Sequence, residues 1–228
     1  TIENLKDFDN TYIVDNEAEL LQTFLGIIED ADILSGWNSE GYDIPYIVNR
    51  TIKILSKDDA RKMCLWNLLP RKRKFERFGN EEITYDLIGR VHLDYMQLYR
   101  KYTYEERHSF SLDAISFQEL GEQKTLYEGT LDSLYNNDFK TFIEYNRQDV
   151  MLISKLNNKL KFIDLANELA HANTVLLQTT MGAVAVTEQA IINETHKRGM
   201  VVPNRPHREP HSTSAAVGAY VATPKKGL

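Results

Sequence analysis

The sequence predicts an α/β domain up to about residue 167, followed by a helical connector. Three observations carry this. Short apolar runs bounded by turn residues, such as "DILSGW" from Asp32 to Trp37, read as strands. Longer segments with apolar residues three and four apart, such as Phe139 to Leu156, read as helices. The two kinds alternate at first, and then only helical patterns follow.

Each element has a local reason. Asn16 is placed to cap a helix reaching about Asp30, with Leu20, Leu21, Phe24, Leu25 and Ile28 on one side. The run "DILSGW" is expected to be a buried strand ended by Gly36. A second helix is expected from Ile44 or Pro45 to about Leu55, since Pro suits a first turn. Residues 57–79 are polar and basic and read as helix, then loop. "EITYDLIGRVHLDYMQLY" alternates around a Gly-Arg turn and reads as a hairpin leading into a helix near Tyr95 to Tyr102. "SFSLDAISFQEL" reads as a short N-capped helix, and Asp138 as the cap of a long one. Helix is expected on to about His196. Pro203, Pro206 and Pro210 then break the pattern, and "VGAYVATP" reads as a last strand.

Composition bounds the function. Of 228 residues, 42% are hydrophobic, and 12 Tyr, 9 Phe and 2 Trp supply bulk for a packed core, which excludes a disordered chain. The lone Cys64 cannot form an internal disulfide, so a reducing compartment such as the cytoplasm is expected; Cys64 is a packing residue or a reactive thiol. No run is long and apolar enough for a signal peptide or a membrane span. The net charge of −6 hides an uneven distribution. Residues 1–50 hold eleven acids and two bases, whereas residues 196–228 hold six bases and one acid. "RKRKFER", from Arg71 to Arg77, is a second basic run. Such runs are solvated faces or phosphate contacts.

Two segments could carry chemistry. In "GWNSEGYDIPYI", Asp43 stands just before the Pro45 helix, close to the positive end of its dipole. It is either a helix-end carboxylate or a reactive group at a strand-to-helix junction. In "YNRQD", Tyr145 and Asp149 lie four apart and share one helix face. Asp149 is a metal ligand or base, or else a surface residue paired with Arg147 or Lys155.

Together and in this order, the two segments resemble the exonuclease domain of family B DNA polymerases. "NSEGYDIPYI" is similar to the second exonuclease motif of that family and "YNRQD" to the third. "GRVHLDYMQLYRK" and "SFSLDAISFQELGEQK" look like the linking segments, and "GAYVATPKKGL" like the approach to the polymerase palm. "ADILSGWNSEGYDIPYIVNR" is most similar to T-even-like phage polymerases. The first exonuclease motif, Asp-x-Glu on a strand, is absent; "LKDFDN", with Asp7 and Asp9, has neither the Glu nor an apolar strand before it. The palm carboxylate motifs are absent too. The expectation is a piece that begins inside the exonuclease domain and stops at the palm.

The resemblance implies a ribonuclease H-like fold, a mixed sheet flanked by helices, and proofreading hydrolysis of a primer 3′ terminus with two Mg2+ or Mn2+ ions. It implies Asp43 and Asp149 as ligands, with Tyr145 orienting the attacking water. Asn38, Tyr42, Leu112, Lys197, Arg198 and Tyr220 would contact the DNA. Expected partners are single-stranded or primer-template DNA and the rest of the polymerase, with no membrane; if the source is viral, the host cytoplasm is the expected location. With two of four carboxylates, the isolated chain is expected to be weakly active or inactive. The competing expectations are a non-catalytic DNA-binding module or split-gene subunit, and a stand-alone ribonuclease H-like exonuclease.

Overall fold

A computed structural model describes residues 12–77, 80–122 and 129–204. The expected C-terminal strand, Tyr220 and the bases Arg205, Arg208, Lys225 and Lys226 lie outside the described residues. The chain divides into two compact units, 1–190 and 191–228.

The first unit starts with α1 (Glu17–Ile27), and the side chain of Asn16 accepts from the Glu19 N–H as its cap. β1 (Ile33–Gly36) runs into a turn and α2 (Asp43–Ile54), with Pro45 in the first helical turn. A short 3-10 turn, Asp59–Met63, follows. Residues 71–77 are not the expected loop. They form β2 (Arg71–Arg77), which pairs antiparallel with β3 (Asn80–Asp86). The expected hairpin around Gly89 and Arg90 is corrected accordingly. β3 turns back on the basic run, while β4 (Val91–Asp94) pairs parallel with β1, Gly36 opposite Asp94. The reason lies at the turn itself. Gly89 takes φ 82°, and the Arg90 side chain is buried, its guanidinium donating to the carbonyls of Ile28, Ala31 and Glu29 at the end of α1.

α3 (Tyr95–Tyr102) follows at once, capped by Asp94. α4 (Leu112–Leu120) is capped by Ser111 and closed by Gly121 in the left-handed region. α5 (Leu131–Asn137) was not anticipated; Thr130 caps it. α6 (Phe139–Leu160) begins on Asp138, whose side chain accepts from the Thr141 N–H. α7 (Phe162–Asn173), a 3-10 turn at Leu177–Met181 and α8 (Ala183–Lys197) complete the order.

Side chains alternate across a strand, so the β1–β4 ladder has two faces. Leu93 joins a core with Tyr95, Leu98, Tyr99, Ile115, Leu152 and Leu156, built mainly from α3, α4 and α6. Leu34 packs on a second core made of Leu25, Ile28, Ile44, Val48, Met63, Cys64 and Leu87. Cys64 is a packing residue: its sulfur accepts from the Ile88 N–H at 3.1 Å, and burial pushes its thiol pKa up. β1 itself is not buried as expected. Ile33 and Ser35 are exposed and Leu34 is half-buried, because β4 is its one strand neighbour among the described residues and Leu34 borders an open cavity.

Among the described residues, no helix is long and apolar enough to cross a membrane.

Candidate active site

The end of β1 must reverse tightly to start α2, and the local sequence permits it. A Cβ on Gly36 would lie 2.8 Å from the Ser39 Cβ, closer than two carbons can sit, so the turn needs glycine there. Asn38 takes φ 59°, a left-handed conformation that Asn tolerates better than most residues. The Ile44 N–H then donates to the Ser39 carbonyl at 3.0 Å and winds the chain into α2.

Asp43 is the first residue of α2. Much of its surface remains in solvent, but the residue lines a cavity, and partial loss of water pushes its pKa up while its own backbone N–H pulls it back. From the opposite wall comes α6. Leu152 and Leu156 are fully buried in the core, so the adjoining stripe of that helix, Asn146, Asp149, Val150 and Ile153, is turned toward the same cavity. Asp43 and Asp149 therefore line one cavity of about 890 Å³, together with Asn38 and Leu112. Its remaining wall mixes apolar side chains such as Phe24, Leu34, Ile44 and Ile47 with polar ones such as Ser39, His92 and Asn157. Lys155 is paired with Glu122 at 2.6 Å rather than with Asp149.

The other expected residues are placed differently. Tyr145 is half-buried, one turn before Asp149 on the same face of α6, and is not among the residues lining the cavity. Tyr42 is exposed and stacks on Tyr46, ring centres 5.9 Å apart and 9° from parallel, a flat aromatic surface next to Asp43. Lys197 and Arg198 belong to the second unit and are exposed; Arg198 is paired with Glu194 at 2.8 Å. The basic strand β2 is partly neutralised: Arg71 and Arg73 pair with Asp86, Arg73 also with Glu40, and Lys74 with Glu81.

Sequence reasoning missed the groups that hold the turn. His92 Nε2 lies 2.9 Å from Ser39 Oγ, and burial keeps that imidazole below its ordinary pKa. The Asp94 carboxylate accepts from the backbone N–H groups of Asn38 and Glu40. An Asp immediately before the helical pattern at Tyr95 was a readable cap signal, though not a sign of this second role.

Carboxylates suit hard divalent ions. Among the described residues, however, no three or more His, Cys, Asp or Glu side chains are grouped to hold one. Asp15 and Glu17 have the Asp-x-Glu spacing, but Glu17 opens α1 and is ion-paired with Arg50, so this pair rides on a helix start and not on a strand. No catalytic step follows from Asp43 and Asp149 alone.

Comparison with known proteins places the chain in a family. Residues 2–115 match the exonuclease domain of family B DNA polymerases. The chain is 30% identical over 212 residues to the DNA-directed DNA polymerase of Escherichia phage RB69, and 28% over 213 residues to that of Enterobacteria phage T4. Each alignment covers 92% of this chain and 23% of the relative, so the chain spans about a quarter of their length. A DNA polymerase of Methanocaldococcus jannaschii is 26% identical over 98% of this chain, but over only 14% of its own length. The chain belongs to the family B DNA polymerases, in the region of their exonuclease domain, and its likeness to the phage members runs through nearly all of it.

Proposed function

We propose that this chain is the proofreading part of a family B DNA polymerase, removing nucleotides from the 3′ end of single-stranded DNA. The observation that carries the reading is that Asp43, at the start of α2, and Asp149, from α6, line one cavity. The α/β order and the parallel β1–β4 pair are compatible with a ribonuclease H-like fold. In this reading residues 1–167 carry the nuclease part and 168–228 the connector toward the palm.

Asp43 and Asp149 would share two Mg2+ or Mn2+ ions with an Asp-x-Glu pair from a segment outside this sequence; such ions activate water and stabilise the leaving oxygen. The chain's own residues do the rest. Asn38 and Leu112 position the terminal nucleotide in the cavity. Tyr42 offers a ring for base stacking, worth about 1–3 kcal/mol per base. Tyr145 orients the attacking water through its hydroxyl. Lys197, Arg198 and Tyr220 contribute further DNA contacts. The partners are single-stranded or primer-template DNA and the rest of the polymerase, in the host cytoplasm if the source is a virus.

The test is reconstitution. Mixing the chain with a polypeptide that carries an Asp-x-Glu strand is expected to produce Mg2+-dependent release of 3′ nucleotides from an oligodeoxynucleotide, with little or none from the chain alone. Asp149→Ala in the mixture abolishes it. Full activity of the chain alone, or activity indifferent to Asp149→Ala, overturns the assignment. One observation favours a second reading, a DNA-binding module without chemistry: the described residues group no three metal-ligand side chains. DNA binding without nucleotide release in the mixture would select it.

A further inference from the structure

The turn between β1 and α2 is held by two other parts of the fold, β4 and the β2–β3 hairpin. Its Asn38 N–H donates to Asp94 Oδ1 at 3.0 Å and its Glu40 N–H to Asp94 Oδ2 at 3.1 Å, so a single carboxylate bridges the turn. Ser39 Oγ meets His92 Nε2, two residues before Asp94 on the same strand. The Glu40 carbonyl accepts from Thr84 Oγ1 at 2.8 Å, and its carboxylate pairs with Arg73, both from the β2–β3 hairpin. Asn38 adopts φ 59°, which Asn tolerates, and these contacts hold it there.

Asp94 is buried at 5% exposure and is absent from the lining of the cavity that Asp43 and Asp149 share. It also accepts from the Met96 N–H at 3.0 Å, capping α3. Those two roles make different chemical demands. Capping needs one acceptor, and Asn serves as well as Asp. Bridging the turn needs both oxygens. In an Asn one of those positions is an NH2 group, which would face a backbone N–H donor to donor.

We propose that Asp94 is a positioning residue of the nuclease site: its two carboxylate oxygens lock residues 38–40, and thereby set how Asn38 and the Asp43 end of α2 enter the cavity. The proposal rests on the nuclease reading above. It assigns Asp94 no contact with the DNA or with the reacting atoms.

Asp94→Asn tests it, because that change keeps the helix cap and breaks the bridge. Two readouts are needed. Oδ1 serves both the Asn38 and the Met96 N–H and stays an oxygen when the cap is kept, so amide hydrogen exchange of the whole chain is expected to quicken about tenfold or more at Glu40, with Val48 and Met96 unchanged. In the reconstituted mixture, kcat for 3′ nucleotide release from oligo(dT) is expected to fall about tenfold or more while KM stays within about twofold. Thr84→Val, which removes a separate hold on the same turn, is expected to lower kcat in the same direction but less, and it answers the question should Asp94→Asn not fold. Unchanged exchange at Glu40 overturns the bridge. Faster exchange with unchanged kcat makes Asp94 a purely structural residue and overturns its positioning role, as does exchange that quickens equally at Val48. If the unsubstituted mixture releases no nucleotide, the nuclease reading fails and the positioning role falls with it, while the exchange data still decide whether the bridge exists.

Discussion

Replacing Leu152 by alanine tests the rotation of α6, on which the placement of Asp149 depends. Leu152 is fully buried, packed in the core that includes Leu93, Tyr95 and Ile115. Truncation removes apolar atoms and leaves a cavity that the α3, α4 and α6 packing closes only in part, at a cost of about 2–5 kcal/mol. For a unit of this size each kcal/mol lowers Tm by about 2–4 °C, so a fall of about 4–20 °C is expected. Val150, two residues earlier, is 62% exposed at the cavity wall, and Val150→Ala should change stability by no more than about 0.5 kcal/mol. Thermal unfolding followed by circular dichroism, supported by urea titration, measures both. A loss below about 1 kcal/mol for Leu152→Ala, or an equal loss for Val150→Ala, would mean that α6 presents a different face to the core. Asp149 would then have no reason to border the cavity.

Other outcomes follow from the same geometry. Burial holds the Asp43 pKa above its ordinary value, so its charge opposes folding above the folded-state pKa and is gone below the unfolded-state value of about 3.9. Asp43→Asn is therefore expected to raise Tm slightly at pH 7, and the gain should vanish as pH falls toward 4; a gain that grows on acidification refutes the burial argument. Tyr145→Phe in the reconstituted mixture should slow nucleotide release without abolishing it, since the hydroxyl orients water and binds no ion; complete loss would assign Tyr145 a larger part. Single-stranded DNA should bind weakly through the basic C-terminal region, with Lys197, Arg198, Arg205, Arg208, Lys225 and Lys226 contributing. Six phosphate contacts at most would give a log–log salt slope no steeper than about −4, and a flat salt response contradicts an electrostatic footprint.

Helices were legible in the sequence where a capping residue marked them. Asn16, Ser111 and Asp138 each stand one residue before a helix, and each side chain accepts from the N–H three residues on. Strands were less legible because pairing is not local. β2 is charged at nearly every position, which reads as loop, and it becomes a strand through its antiparallel register with β3 and its ion pairs to Asp86 and Glu81. The parallel match of 33–36 with 91–94 spans a long intervening segment that no local pattern encodes. The site divides in the same way. Asp43 and Asp149 stood out because two short motifs occur in a known order. The support around them did not: Asp94, His92, Thr84 and Arg73 reach the 38–40 turn from distant parts of the sequence. Only folding brings a carboxylate within reach of two backbone N–H groups that it could not have been matched to beforehand.

In the proposed function Asp43 and Asp149 serve one site. Titrating the chain with Mn2+ and following the paramagnetic loss of backbone amide signals tests it directly, since even weak binding is visible. Carboxylates serving ions about 3.5–4 Å apart must lie within about 12 Å of each other. The expected result is loss of signal around residues 43 and 149 together, at the same Mn2+ concentration, with both effects reduced by Asp149→Ala. Signal loss around only one of the two, or loss around residue 43 that Asp149→Ala leaves unchanged, would show that the two carboxylates do not share a site.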